Sequence, residues 1–333
     1  MVAQTRIYRI GATYYMKNYS VASQRAWIIR NAMTLLTLAT VALYAIFIQW
    51  VWGWVTVLAL WKSAGLGSAF LALAALLGTY VLRTWRIYDY FPTETGGRFG
   101  TLLRLTQVHN LLNIMLPFRS GEVSFPLLMK REFDLSLARS TAALFVMRLF
   151  DLHALLAAAG IGLVLQHHSS WAWALWFGFL VLPVAGFVLR GIGLRFAARI
   201  LPAKAERLLD EIEAGLPVDA AAFARAWGAT LINWFTKIAV LAWVLGLLGG
   251  VSMAPGFGGA LGGELSSVLP VHAPAGVGTY PAGISAGAVA FGAAASGPAF
   301  EDLAQAAVNT HLLVIVSSLM GTALSLFAAR GNR

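Results

Sequence analysis

The chain has 333 residues, 59% hydrophobic and only 11% charged, with a mean hydropathy of +0.73. Soluble domains carry about a quarter charged residues. The uncharged runs here, 31 residues from Asn31 to Trp61 and 38 from Leu152 to Leu189, exceed the roughly 20 apolar residues that cross a bilayer. A water-soluble domain is therefore excluded, no long polar stretch remains for an appended soluble unit, and the chain reads as one polytopic, all-α membrane domain over 31–329.

The formal net charge of +10 comes from 24 Lys and Arg against 14 Asp and Glu. The basic residues fall in clusters between apolar runs, as the positive-inside rule requires, and no nucleic-acid signature accompanies them, so nucleic acid is not an expected partner. The sequence contains no cysteine, which removes disulfides, thiolate metal sites and cysteine nucleophiles. No metal or other cofactor is expected.

Residues 1–30 carry Arg6, Arg9, Lys17, Arg25 and Arg30 with no compact apolar core between them, and read as a cytosolic, partly amphipathic lead-in. Apolar periodicity then places six spans at about 31–50, 65–82, 140–165, 171–189, 226–247 and 304–328. Two further apolar regions cannot be continuous helices. The segment 101–128 is broken at Pro117, Gly121 and Pro126, and the segment 258–292 at Pro270, Pro274, Gly276, Gly278 and Pro281. Irregular backbone at membrane depth survives only where protein or water satisfies it, so both segments are expected to be re-entrant helical hairpins.

Lys and Arg arbitrate the topology. With the amino terminus in the cytosol, segments 1–30, 83–139, 190–225 and the tail after 328 hold 21 of the 24 basic residues. Both termini then face the cytosol of an inner membrane. Each half, 31–165 and 171–328, reads as span, span, re-entrant segment, span, and three spans per half invert the second half relative to the first. Leu116-Pro117 and Leu269-Pro270 mark matching entries into the two breaks. Broken segments at matching positions of inverted halves point to a transporter's central site.

An ionisable side chain at the bilayer centre costs about 2.5–3.5 kcal/mol on insertion scales, so such residues are functional candidates. Arg148 and Asp151, three apart, share a helix face and can pair. Arg119 and Glu122 flank the first break, where freed backbone amides could join Arg119 on a phosphate. Glu264 descends into the second break with His272 just past its proline, a pair able to carry protons or touch a headgroup. Lys237 lies one turn after Asn233 in the fifth span, and Asn110 and Asn113 precede the first break. Three cations (Arg119, Arg148, Lys237) thus balance three carboxylates (Glu122, Asp151, Glu264).

Three blocks of this chain resemble, in order and spacing, the membrane region of lysylphosphatidylglycerol synthase/flippase proteins. They are Asn110 to Val123, with Leu116-Pro117-Phe118-Arg119-Ser120-Gly121-Glu122 at its core, then Arg148-Leu149-Phe150-Asp151-Leu152, then Pro274-Ala275-Gly276-Val277-Gly278-Thr279-Tyr280. Arg83-Thr84-Trp85-Arg86 after the second span also fits. The resemblance implies an integral membrane protein with two re-entrant segments meeting mid-membrane, whose best understood relatives move a modified phospholipid between leaflets. It marks Arg119, Glu122, Arg148 and Asp151 as motif positions in the first half, and the block ending at Tyr280 in the second. Relatives usually carry an acidic residue where this chain has Pro281, and often a Glu where it has Met147; Glu264 is the nearby substitute. The aminoacyl-transfer domain of full synthases is missing.

The expected function is a lipid flippase rather than an enzyme, moving a phospholipid or polyprenyl-phosphate-linked lipid through a cleft between the two breaks. A membrane glycosyltransferase would need an Asp-x-Asp or clustered acids at a membrane face; the sequence has no Asp-x-Asp, and its one acidic run, Asp210-Glu211-Ile212-Glu213, is poorly placed for that role. A non-catalytic accessory subunit of a lipid-synthesis complex is the other alternative. The expected partner is a membrane lipid substrate, and the sequence leaves open lipid-synthesis enzymes and a homo-oligomer.

Overall fold

The computed structural model describes residues 35–167, 169–200, 202, 205–269 and 273–330. Regular structure among them is helical throughout. In chain order come α1 (Leu35–Val51), α2 (Trp54–Ala64), α3 (Leu66–Tyr90), the single turn α4 (Pro92–Thr95) and α5 (Phe99–Met115). A 3-10 turn (Pro117–Val123) leads to α6 (Ser124–Phe133), followed by α7 (Leu137–His167), α8 (Ser170–Leu180), α9 (Leu182–Ile200) and α10 (Glu206–Glu213). The chain continues with α11 (Ala220–Gly249), α12 (Met253–Val268), a second 3-10 turn (Pro274–Gly276), α13 (Thr279–Ala290) and α14 (Pro298–Arg330).

Four helices, α3, α7, α11 and α14, are each long and apolar enough to cross a membrane, and the bent pairs α1–α2 (81°) and α8–α9 (43°) bring the number to six if each pair is one span. The bend after α1 and the junction of α2 with α3 fall at Gly53 (φ 77°) and Gly65 (φ 87°), left-handed positions that favour glycine. Helix α11 starts where the Asp219 side chain accepts a hydrogen bond from the Ala222 N–H at 2.7 Å, an N-cap that satisfies one of the orphan donors.

The expected spans fall on α1, α3, α7, α8–α9, α11 and α14. The second is longer than its apolar run. Helix α3 continues past Leu82 to Tyr90, so Arg83 and Arg86 belong to the same helix as the second span. Helix α2, which carries Lys62, turns off the axis of α1 by 81°.

Both broken segments fold as antiparallel helix–turn–helix hairpins. In the first, Arg104 on α5 meets Glu132 on α6 at 3.0 Å and His109 meets Ser124 at 2.9 Å, a register that runs down the pair. In the second, Gly258 and Gly262 of α12 face Gly287 and Gly283 of α13. A Cβ built on Gly262 would stand 2.1 Å from the Gly283 carbonyl oxygen, so the backbones touch and only glycine fits.

The two turns repeat a backbone pattern. Each begins with proline (Pro117, Pro274) after an extended residue (Leu116, Ala273), and each then bends through consecutive left-handed residues: Phe118 and Arg119 (both φ 53°) in the first, Ala275 (φ 54°) and Gly276 (φ 69°) in the second. Leu116 and Leu269 correspond as well, each an extended residue that closes the first arm of its hairpin with its N–H on the carbonyl four residues back; Pro270, which completes the expected Leu-Pro match, is outside the described residues.

The main apolar core joins α3, α7, α11, α12, α13 and α14 through side chains such as Leu76, Leu155, Leu241, Leu245, Leu261 and Ile284. Helices α8 and α9 contribute no buried residue and turn Leu175, Phe177, Val188 and Phe196 outward, as a lipid-facing surface does.

Candidate functional site

Between the hairpin turns and the long helices lies a buried cluster of charge. Asp151, 1% exposed, is its anchor. One oxygen accepts from Arg86 (2.5 Å) and from the Trp234 indole N–H (2.9 Å), and the other from Arg148 (2.9 Å). Arg148 also donates to Glu122 at 3.2 Å, with its Nε 2.9 Å from the other Glu122 oxygen. Glu122 accepts in addition from Asn113 (2.8 Å) and from Arg119, through Nε at 3.1 Å and through Nη2. The order Arg86, Asp151, Arg148, Glu122, Arg119 alternates sign along a continuous path, the arrangement in which intramembrane charges persist.

The spacing explains the local geometry. Tyr80, Arg83 and Arg86 recur at three-residue intervals on α3, and Thr230, Trp234 and Lys237 lie one turn apart on α11, so each helix offers one polar stripe to the centre. Arg86 uses that stripe to bond Thr230 at 3.0 Å.

A second group surrounds Glu264, also 1% exposed. It pairs with Lys237 at 2.8 Å and accepts from the Tyr280 hydroxyl at 2.7 Å. The Tyr280 ring stacks on His311, centroids 5.1 Å apart, and His311 Nε2 lies 2.8 Å from the Ala275 carbonyl. A carbonyl only accepts, so the proton sits on Nε2 and Nδ1 faces the Tyr44 hydroxyl at 3.4 Å. The second turn is thus tied to α14 and α1 through one histidine.

Arg119 joins the halves. Placed by its left-handed backbone, its Nη1 donates to the Ser267 carbonyl at the end of α12, 2.7 Å away. Gly121, where any Cβ would lie 2.5 Å from the Asn113 N, lets the first turn press against the end of α5. Around this bridge lies a partly open cavity of about 60 Å³ bordered by Arg83, Arg119, Arg148, Lys237 and Glu264. Several waters fit in that space, since one needs roughly 10–15 Å³.

Of the residues singled out from sequence, Arg119, Glu122, Arg148, Asp151 and Asn113 are in direct contact. Lys237, Glu264 and Tyr280 form the second group. Asn110 links to them through Arg83 (2.7 Å) and Ser318 (3.2 Å). His272 lies outside the described residues, and the Glu264 carboxylate is met by Lys237 and Tyr280. Sequence reasoning missed Arg83, Arg86, Tyr80, Trp234 and His311 as members of the site. The i, i+3 spacing of Arg83 and Arg86 was a usable signal, hidden because arginines after an apolar run normally mark the cytosolic end of a span.

Long apolar helices around a buried ionic centre define a polytopic, all-helical integral membrane protein. The family model for the lysylphosphatidylglycerol synthase TM region matches residues 35–321, and the chain belongs to that family. No curated protein and no solved structure matches it.

Proposed function

We propose that this protein is a lipid translocator of the cytoplasmic membrane, passing a polar headgroup through the central cavity while the hydrocarbon tails stay in the bilayer. The observation that carries the reading is the Arg119 bridge: two helix breaks meet around a polar cavity at a buried ionic centre, and one arginine latches them. In this reading α5–α6 and α12–α13 are re-entrant hairpins of two inverted halves, supported by the repeated Pro and left-handed backbone of their turns. Both termini face the cytosol, as the distribution of Lys and Arg favours.

Transport follows by alternating access. With the latch closed the hairpins are held together across the headgroup site, and releasing Arg119 from the Ser267 carbonyl lets one hairpin move against the other. A phosphate oxygen entering the cavity competes for that guanidinium through charge-assisted hydrogen bonds, so the substrate itself opens the latch. The test is transbilayer movement of fluorescent lipids in proteoliposomes. Wild-type protein is expected to move them and Arg119→Ala to fall at least tenfold; equal rates in the two, or no movement by wild type, would overturn the reading.

A further inference from the structure

We propose that the central cavity selects a lipid whose headgroup ends in a phosphomonoester bearing two negative charges, and that Arg83 is the residue that distinguishes it from a phosphodiester. The proposal deepens the translocator reading and rests on it for the direction of the chemistry.

The argument is one of charge. Five cations (Arg83, Arg86, Arg119, Arg148, Lys237) meet three carboxylates (Glu122, Asp151, Glu264) in the connected centre. Two positive charges are left over, where the sequence alone suggested an even balance. No distant acid makes up the difference. All 14 Asp and Glu side chains of the chain are among the described residues, and Arg83 has none within 4.0 Å. The other buried or half-buried pairs, Arg104–Glu132, Arg139–Glu94 and Arg225–Asp89, are balanced in themselves and lend no carboxylate. His109 lies between Arg148 (3.3 Å) and Ser124 (2.9 Å), and a neutral ring satisfies both, Nε2 accepting from the guanidinium and Nδ1 donating to the hydroxyl.

Arg83 is where the surplus is concentrated. Its one hydrogen bond is to Asn110, a neutral acceptor, and its side chain borders the cavity beside Arg119, Arg148 and Lys237. Uncompensated cations at membrane depth are costly, and an anion in the cavity neutralises them. A phosphomonoester carries about −1.5 to −2 at neutral pH and offers three oxygens to arginine forks. A phosphodiester supplies one charge, and a zwitterionic headgroup none.

The experiment compares three lipids of identical tails in proteoliposomes: phosphatidate (phosphomonoester), phosphatidylglycerol (phosphodiester) and phosphatidylcholine (zwitterion). Transbilayer movement is read by quenching of a tail fluorophore, and binding by native mass spectrometry. Wild type is expected to bind and move the phosphomonoester at least tenfold better than the other two. Arg83→Gln is expected to remove that preference while keeping phosphodiester binding, and Arg83→Lys, which retains the charge, to restore most of it. Arg83→Gln orphans no carboxylate, and its thermal midpoint checks folding. Equal handling of the three lipids, or a preference untouched by Arg83→Gln, would overturn the proposal. Selective binding of phosphatidate without movement by wild type would keep it and defeat the translocator reading instead. Displacement of bound phosphatidate by millimolar inorganic phosphate would assign the site to a soluble anion and overturn the lipid assignment.

Discussion

Asp151 and Arg119 sit in one network and predict opposite phenotypes. Asp151→Ala removes the carboxylate shared by Arg86, Arg148 and the Trp234 N–H, leaving Arg86 with only the neutral Thr230 hydroxyl and the indole N–H with no acceptor in a nearly solvent-free site. Removing one partner of such a cluster destabilises by about 3–5 kcal/mol, so this variant is expected to lose its thermal transition or shift it down sharply in detergent. Arg119 is the end of the chain, and without it Glu122 keeps Arg148 and Asn113. Arg119→Ala is therefore expected to stay folded, with a small shift in the same assay, while transport falls. An Arg119→Ala protein as unstable as Asp151→Ala would show the latch to be structural. At this scale the sequence revealed one close pair: Arg148 and Asp151 are three apart on a helix and share a face. It concealed Arg86, which reaches Asp151 across 65 positions of sequence, because helical periodicity carries no information about which helix packs opposite.

The two hairpins show where element-level reading succeeds and where it stops. Proline and glycine announced both breaks, since neither residue sustains a helix. The repeat between them is partly conformational: the left-handed position held by Arg119 in one turn is held by Gly276 in the other. A non-glycine residue at left-handed φ costs roughly 1–2 kcal/mol. Ala275→Gly relieves this strain and is expected to raise stability by about 0.5–1 kcal/mol, part of the gain being offset by greater freedom in the unfolded chain. A lowered thermal midpoint would show that the Ala275 methyl packs usefully. The opposite outcome is expected on the hairpin arms. Gly262→Ala drives a methyl into the Gly283 carbonyl, backbone against backbone, and no rotamer change relieves it. A loss of roughly 1–3 kcal/mol or more is expected from such overpacking, read as a lower midpoint or poor expression. Gly228→Ala on α11, where nothing lies within 4 Å of the added methyl, is the matched control.

At the scale of the whole molecule the apolar runs showed where the long helices lie, but the extent of α3 escaped them, because its last two turns are polar and still helical. The absence of cysteine makes the topology directly testable, since any introduced cysteine is the sole target of a membrane-impermeant maleimide. Thr93→Cys and Arg131→Cys bracket the first hairpin at exposed positions, and Ser252→Cys and Ser296→Cys bracket the second. If both hairpins are re-entrant, each pair labels from one side of the membrane only, and the two pairs label from opposite sides, the first from the cytosol. Should Thr93→Cys and Arg131→Cys label from different sides, α5 and α6 together would make a full crossing. The basic residues after α6 would then lie outside, the halves would no longer be inverted, and the alternating-access reading would lose its structural basis. Arg119→Ala in the Ser252→Cys and Arg131→Cys backgrounds is expected to leave the labelled side unchanged, since the latch governs access to the cavity and not the direction in which the chain is threaded; a changed side would show that Arg119 sets the threading instead.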